Sequence, residues 1–448
     1  MRITSLVPAL ALIPGAIVAQ SVVPVHPLGP LMAESRENFG LIQSVRALSD
    51  GRVLVNDAQK RRVLLLDKNL GLAVVVADST PGVVNGHGDR PGALVPYLAD
   101  STLYVDMTSS SFLVIDPAGH IARVMAAPRP NEVPFLMMGA PGFDPQARLT
   151  YRGMMMPSFP KRDENGGFVM HELPDSAPIF RVDMTTRKVD TAAYIKINRP
   201  KLNVTTSEDG RSMRASAELN PMPVIDEWAL MSDGAIAIVR GQDYHVDWVN
   251  LDGTRTTSAK VPYEWQRLSD DDKVAVTDSV RKALEAAQQA GNGLGQAAAL
   301  AGMPMAMTVT RGGDGPANVA IGPRGGGDGI ASGSRGPASA SSDKGGAAGG
   351  LANNINMISP SELPDYRPAF RANAARPALD DKLWVATTEP LATMPGGTVY
   401  DVIDRQGNLV DRVAFAPGRQ LIGFGPNGDV YVAWRDGMGM HIGRAKVR

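Results

Sequence analysis

Short apolar runs separated by polar turns recur along most of the chain. Ser49 to Gly71, SDGRVLVNDAQKRRVLLLDKNLG, holds two such runs with a polar turn between them and a turn at each end. Comparable stretches cover Ala99–His120, Ser232–Gly253, Leu379–Asn408 and Asn427–Val447. A degraded copy is QARLTYRG, followed after a long gap by PIFRVDMTTRK. The first runs centre on Val53, Leu103, Leu149, Ile236, Leu383 and Val430, so the unit occurs six times. Three of the steps are 50, 46 and 47 residues, and the larger steps of 87 and 147 contain insertions.

Flanking segments such as LIQSVRAL and GLAVVVA give each unit four strands. Val, Ile, Leu and Tyr alternate with polar residues, the pattern of half-buried strands. Asp-Gly at 50–51, 233–234 and 252–253, and Asn-Gly at 427–428, supply turns that need positive φ. Four-stranded units at this spacing predict an all-β fold, a six-bladed β-propeller of four-stranded antiparallel blades. The blades are expected near residues 39–78, 93–126, 141–197, 223–262, 369–416 and 420–447. The last unit ends at MHIGRAKVR without a fourth strand. Residues 21–30, within SVVPVHPLG, are expected to supply it and to close the ring, which protects the first and last faces.

SVRALSDGRVLVNDAQKRRVLLLDKNLG resembles an NHL-type repeat. GHGDRPGALVPYLADSTLYVDMTSSSFLVIDPAGHI, with LPDYRPAF at Leu363–Phe370, resembles a group of exported bacterial six-bladed propellers. The resemblance covers residues 38–125, 224–265 and 363–447. It implies a fold and an exported location, and no shared reaction.

With strands named A to D from the axis outward, loops A–B and C–D open on one face of a propeller, and loops B–C and D–A on the other. The first set is short here: LSDGR, MSDG, DKNLG, DPAG. Every large insertion belongs to the second set. The B–C loop of the third unit holds MMMPSFPKRDENGGFVMHELPDSA, and the next D–A loop holds NRPKLNVTTSEDGRSMRASAELN. The D–A loop after the fourth unit spans the insertion 263–362. Such segregation marks a working face, because function sits on loops held by a rigid scaffold. Within 263–362 a helix is expected over 269–289. Ser269 caps it, three Asp residues suit its N-terminal end, and Val276, Val280, Leu284 and Ala287 make a docking stripe. Residues 291–350 hold 18 of the chain's 47 glycines and no aromatic residue, a composition expected to stay disordered.

Among 448 residues, 45 basic and 46 acidic side chains leave a formal charge of −1, which gives no field to hold nucleic acid. The absence of cysteine removes disulfides, thiolate catalysis and Cys-ligated metals. MRITSLVPALALIPGAIVAQ reads as an export signal: one positive charge, an apolar run, and small or aliphatic residues before a cut that leaves Gln20 first. The expected organisation is therefore a signal peptide over 1–19 and a secreted or periplasmic propeller over 20–448. The mature chain is expected to have no transmembrane segment.

Candidate chemistry is sparse. His87, Asp89 and Arg90 lie in NGHGDRPGA, on the elaborated face between the first two blades. Asp226 and Glu227, in VIDEWAL, fall on an inner strand, where neighbours point to opposite sides and cannot act as one acid–base pair. Either could face the channel near Arg46 or Arg371, as an anion site or a structural ion-pair ring. A divalent cation such as calcium would need about four oxygen ligands converging from different blades, and the inner strands offer fewer. No cofactor is predicted. The expectation is a non-catalytic protein that binds a peptide, protein, glycan or small ligand on the D–A/B–C face. The alternative is a propeller hydrolase, of lactonase or glycan-cleaving type, with a metal or anion site at the channel mouth.

Overall fold

The computed structural model describes residues 23–80, 82, 83, 85–137, 139–154, 161, 162, 168, 169, 173–199, 201–206, 212–289, 306–310, 318–322 and 357–447. The signal segment 1–19 lies outside them.

Six sheets each hold four antiparallel strands, A to D; in blades 1 to 5 these follow one another along the chain, and blade 6 takes its D strand from the N-terminal segment. The inner strands are Ile42–Ala47, Leu94–Pro96, Gly142–Phe143, Glu227–Leu230, Phe370–Pro377 and Gln420–Phe424. The outer strands of blades 1 to 5 are Ala73–Asp78, Ile121–Ala126, Val189–Lys196, Arg255–Thr257 and Leu409–Phe415.

The core is divided among the six junctions between blades. One apolar cluster joins blades 1 and 2 through Leu54, Val63, Leu94 and Tyr104. Others join 2 to 3, 3 to 4, 4 to 5 and 5 to 6. A sixth joins 6 back to 1 through Tyr431, Ile442, Val53 and Val55, so the ring is closed. The alternation of strands explains this division. In blade 1, Val53 and Val55 pack toward blade 6 while Leu54 packs toward blade 2. Middle strands are thus buried on both faces and read as nearly unbroken apolar runs, such as RVLLL, rather than as the half-buried alternation expected. The outer strand Arg255–Thr257, by contrast, is exposed along its whole length.

Recurring turns set the repeat. In Leu48–Arg52, Asp116–His120, Met231–Ala235 and Asp404–Asn408 the first residue donates to the fifth, and the fourth donates back to the first. The fourth residue sits at positive φ, as Gly51 and Gly234 do at 87° and 82°, where a side chain would be strained.

Closure differs in one detail from expectation. The fourth strand of blade 6 is Leu31–Glu34, antiparallel to Gly439–Lys446, and not residues 21–30. Residues Val25–Pro27 instead add a fifth, parallel strand to the edge of blade 5. Proline explains the shift. Pro24, Pro27 and Pro30 cannot donate to a ladder, so that stretch suits only an outermost edge, whereas LMAE has a donor at every residue. Ser35 completes the seam: its N–H donates to Ile442 O at 2.8 Å, and its Oγ accepts from Ile442 N at 3.0 Å.

The insertion contains helix α1, Asp270–Gln289. Ser269 and Asp272 form a reciprocal cap: Ser269 Oγ accepts from Asp272 N at 3.2 Å, and Asp272 Oδ2 accepts from Ser269 N at 2.9 Å. The helix docks by Lys273, Val276, Thr277, Val280 and Leu284. The tract 291–350, expected to be disordered, departs from that expectation in two places. Ala306–Thr310 and Asn318–Gly322 are paired strands; the rest of the tract lies outside the described residues.

Candidate functional site

Connectivity places every long excursion on one face. The B–C connections 153–175 and 388–397 and the D–A connections 197–226 and 258–369 all leave from it, while A–B and C–D turns on the other face remain tight. Two of these connections combine. Lys201–Thr206 and Ser212–Glu218, between blades 3 and 4, pair with Ala306–Thr310 and Asn318–Gly322, between blades 4 and 5. The product is a second four-stranded antiparallel sheet outside the ring. Lys201 Nζ also meets Glu362 Oε1 at 3.0 Å, tying the two connections again.

The candidate residues occupy separate places. His87 lies in the connection between blades 1 and 2, its ring 4.7 Å from that of Tyr104. Its Nδ1 is 2.7 Å from Gly88 O and 3.3 Å from the Tyr104 hydroxyl. Asp89 accepts from Thr108 Oγ1 at 3.1 Å, and the Arg90 N–H donates to the same hydroxyl at 3.3 Å; both side chains are exposed. Arg46 pairs with Asp100 at 2.9 Å, at the A–B turn of blade 2 on the opposite face.

Asp226 and Glu227 engage different partners, as their alternation requires. Asp226 is buried and holds a corner of blade 4. It accepts from Lys196 N at 2.9 Å, Gly241 N at 3.1 Å and Arg240 Nη1 at 2.7 Å. Arg240 continues to Asp247 at 2.7 Å, and His245 lies between Asp247 and Asp243 at 3.3 and 2.7 Å. Gly241 is required here, because a Cβ would stand 2.0 Å from Ile225 O.

Glu227 faces blade 5, whose inner strand loses register between Phe370 and Ala375. In that bulge Asn373 adopts φ 62° and gives its N–H to Glu227 Oε1 at 2.9 Å. Burial pushes the Glu227 carboxyl up to about 7, against the opposing pull of that N–H and of Arg152 and Arg376. Arg371 starts the same bulge and is exposed.

Sequence reasoning missed a second buried network at the junction of blades 4 and 5. The Tyr244 hydroxyl donates to Asp401 Oδ2 at 2.9 Å, and Arg412 Nε donates to Asp401 Oδ1 at 3.0 Å. Arg412 also bonds Glu389. Burial raises Asp401 to about 6 despite Arg412. Its signal was a lone Asp inside the apolar strand TVYDVI. A further hollow of about 10 Å³ between blades 2 and 3 is lined by Phe112, Arg129, Glu132 and Tyr151. It has room for a single water and falls far below the usual ligand pocket of roughly 300 Å³ or more. Among the described residues no three His, Asp or Glu side chains are grouped to hold a metal ion. No described helix is long and apolar enough to cross a membrane.

No protein-family model matches the chain, and no curated protein matches it. Several solved structures are similar to it. A catalytically inactive virginiamycin B lyase from Staphylococcus aureus with quinupristin is 10% identical over 93% of this chain and 99% of that one, at a TM-score of 0.36. A gluconolactonase from Xanthomonas campestris is 12% identical over 55% of this chain and 91% of that one, at 0.23. The calcium-binding protein regucalcin from Agrobacterium tumefaciens is 13% identical over 52% of this chain and 79% of that one, at 0.24.

Proposed function

We propose that the protein is an exported, non-catalytic propeller that binds its ligand on the D–A/B–C face. One observation carries the reading: two interblade connections from that face merge into a second sheet, while the other face keeps only tight turns. Elaborating one face of a rigid ring is how scaffolds acquire binding surfaces. The dispersal of the candidate residues supports it further. His87 sits at blades 1 and 2, Arg46 on the opposite face, and Asp226 is spent on a structural corner.

Binding of the full chain to arrayed glycans and peptides, followed by hydrogen exchange on the complex, tests the reading. The expected result is protection confined to segments such as 85–93, 258–268, 363–369 and 388–397. Protection of the turns at 48–52 and 116–120, or catalytic turnover of a bound compound, overturns it.

The hydrolase alternative draws on Glu227, whose acidity near neutral pH suits a general acid or base. Hydrolysis of lactone and glycoside substrates with and without calcium, lost in Glu227→Gln, would establish it.

A further inference from the structure

We propose that the ribbon at the root of the largest insertion binds an anionic oligosaccharide on its outward face. The proposal rests on the binding reading above and names its ligand class. Residues 265–268 run antiparallel to 365–367. Leu268 N donates to Asp365 O at 2.8 Å, Arg367 N donates to Gln266 O at 2.9 Å, and Arg267 stands opposite Tyr366. A pair flanked by hydrogen bonds in this way is the closely spaced kind, with both side chains on one face. Alternation puts Trp265 on that face with them.

The two faces of the ribbon have different fates. Leu268 packs with Met222, Ile358, Leu363 and Val276, and Asp365 meets Lys273 of α1 at 2.8 Å, so one face is committed to the helix. The other stays open: Trp265 is 37% and Tyr366 49% exposed. With Tyr194, these two are the exposed large aromatic side chains among the described residues. The Trp265 ring stands 5.3 Å from that of Tyr263 at 78°, forming a notch. Tyr263 is fixed in turn by its hydroxyl 3.2 Å from Thr388 Oγ1 and by its ring 5.6 Å from that of Tyr244. The aromatic surface is therefore preorganised.

Arg267 is exposed and makes no salt bridge among the described residues, feeling Asp365 only at longer range. Alternation turns Glu264 and Asp365 to the other side, so among the described residues of the ribbon Arg267 is the charged side chain on the open face. Aromatic ring faces accept the C–H face of a pyranose, and a guanidinium fork fits a carboxylate in bidentate fashion. A sugar ring bearing a carboxylate matches its aromatic surface and its charge.

Titration calorimetry of the full chain with tetragalacturonate, maltotetraose and a proline-rich decapeptide tests the assignment. Tetragalacturonate is expected to bind, and Trp265→Ala to weaken it at least tenfold. Arg267→Gln is expected to bring its affinity within twofold of that for neutral maltotetraose. Unchanged melting of both variants is the control, and Arg267→Gln decides alone if Trp265→Ala perturbs folding. Absence of tetragalacturonate binding, equal binding by wild type and Arg267→Gln, or capture of the peptide in its place overturns the proposal. Tetragalacturonate protection elsewhere on the same face sinks the ribbon assignment but leaves the binding reading standing; its hydrolysis sinks that reading instead.

Discussion

Asn373 reaches across from blade 5 to give its backbone N–H to Glu227 of blade 4 at 2.9 Å, from a left-handed conformation. The bond ties two blades near the axis through a carboxylate that is 6% exposed. It has a consequence for pH. The Glu227 pKa rises from 4.5 to about 7 on folding, chiefly through burial. The folded state therefore keeps a proton that the unfolded state gives up, and stability falls as pH rises from about 4.5 to 7. The Glu227→Gln variant retains an acceptor and cannot ionise. It is expected to be more stable than wild type at pH 8, by at most about 3 kcal/mol, with Arg152 and Arg376 losing a counter-charge and reducing the gain. It should match wild type more closely at pH 4.5. Urea unfolding at the two pH values checks this, and a wild-type profile flat between them refutes it.

The Tyr244–Asp401 contact gives the opposite kind of expectation. Tyr244→Phe removes a donor from a buried carboxylate and should cost about 1.5–3 kcal/mol at pH 8. Below pH 6 Asp401 takes up a proton, since burial has raised it to about 6, and the cost should shrink. Equal destabilisation at pH 5 and pH 8 would count against the charged hydrogen bond.

The seam separates a strong contact from a weak one. Ser35→Ala strips a buried hydroxyl from Ile442 N and Glu37 O, and should cost about 1–2 kcal/mol. His26→Ala breaks a 2.8 Å pair with Asp411, but both groups are about one-third exposed, and the loss should stay below about 1 kcal/mol. Removal of all residues before Arg36 takes away the outer strand of blade 6 and should abolish a single cooperative melt. Calorimetry on the three variants ranks them.

Export predicts a processed N-terminus. Sequencing of the protein recovered outside the cytoplasm should begin at Gln20; a chain still starting at Met1 would oppose that reading.

How far the sequence disclosed the molecule depends on the distance between partners. The six blades were legible because their turns repeat locally, as Asp50-Gly51 and Asp233-Gly234 do. Helix α1 was legible from Ser269 and from the stripe Val276, Val280, Leu284 and Ala287, of which the last side chain lies outside the described residues. The second sheet was not, because Ser212–Glu218 meets Ala306–Thr310 from another interblade connection, and glycine-rich surroundings hide the latter. The closing strand lies further along than SVVPVHPLG, the first segment free to supply it, because the prolines of that stretch suit it only to an outermost edge. Asp226 and Glu227 were found as polar residues opening an inner strand, and their divergence followed from strand geometry alone. Tyr244, Asp401 and the Trp265–Tyr366 face depend on which blades and strands become neighbours, and no local pattern records that.

Because Leu31 pairs with Ala445, almost the full length of the polypeptide must emerge before the circle can shut. A ribosome-bound chain can stack its early blades but has nothing to bond its first segment to. This contact spans nearly the longest loop available, so its formation is expected to come late and slowly. Such an order leaves an open arc of blades, with two unpaired flanks, until the last blade is made.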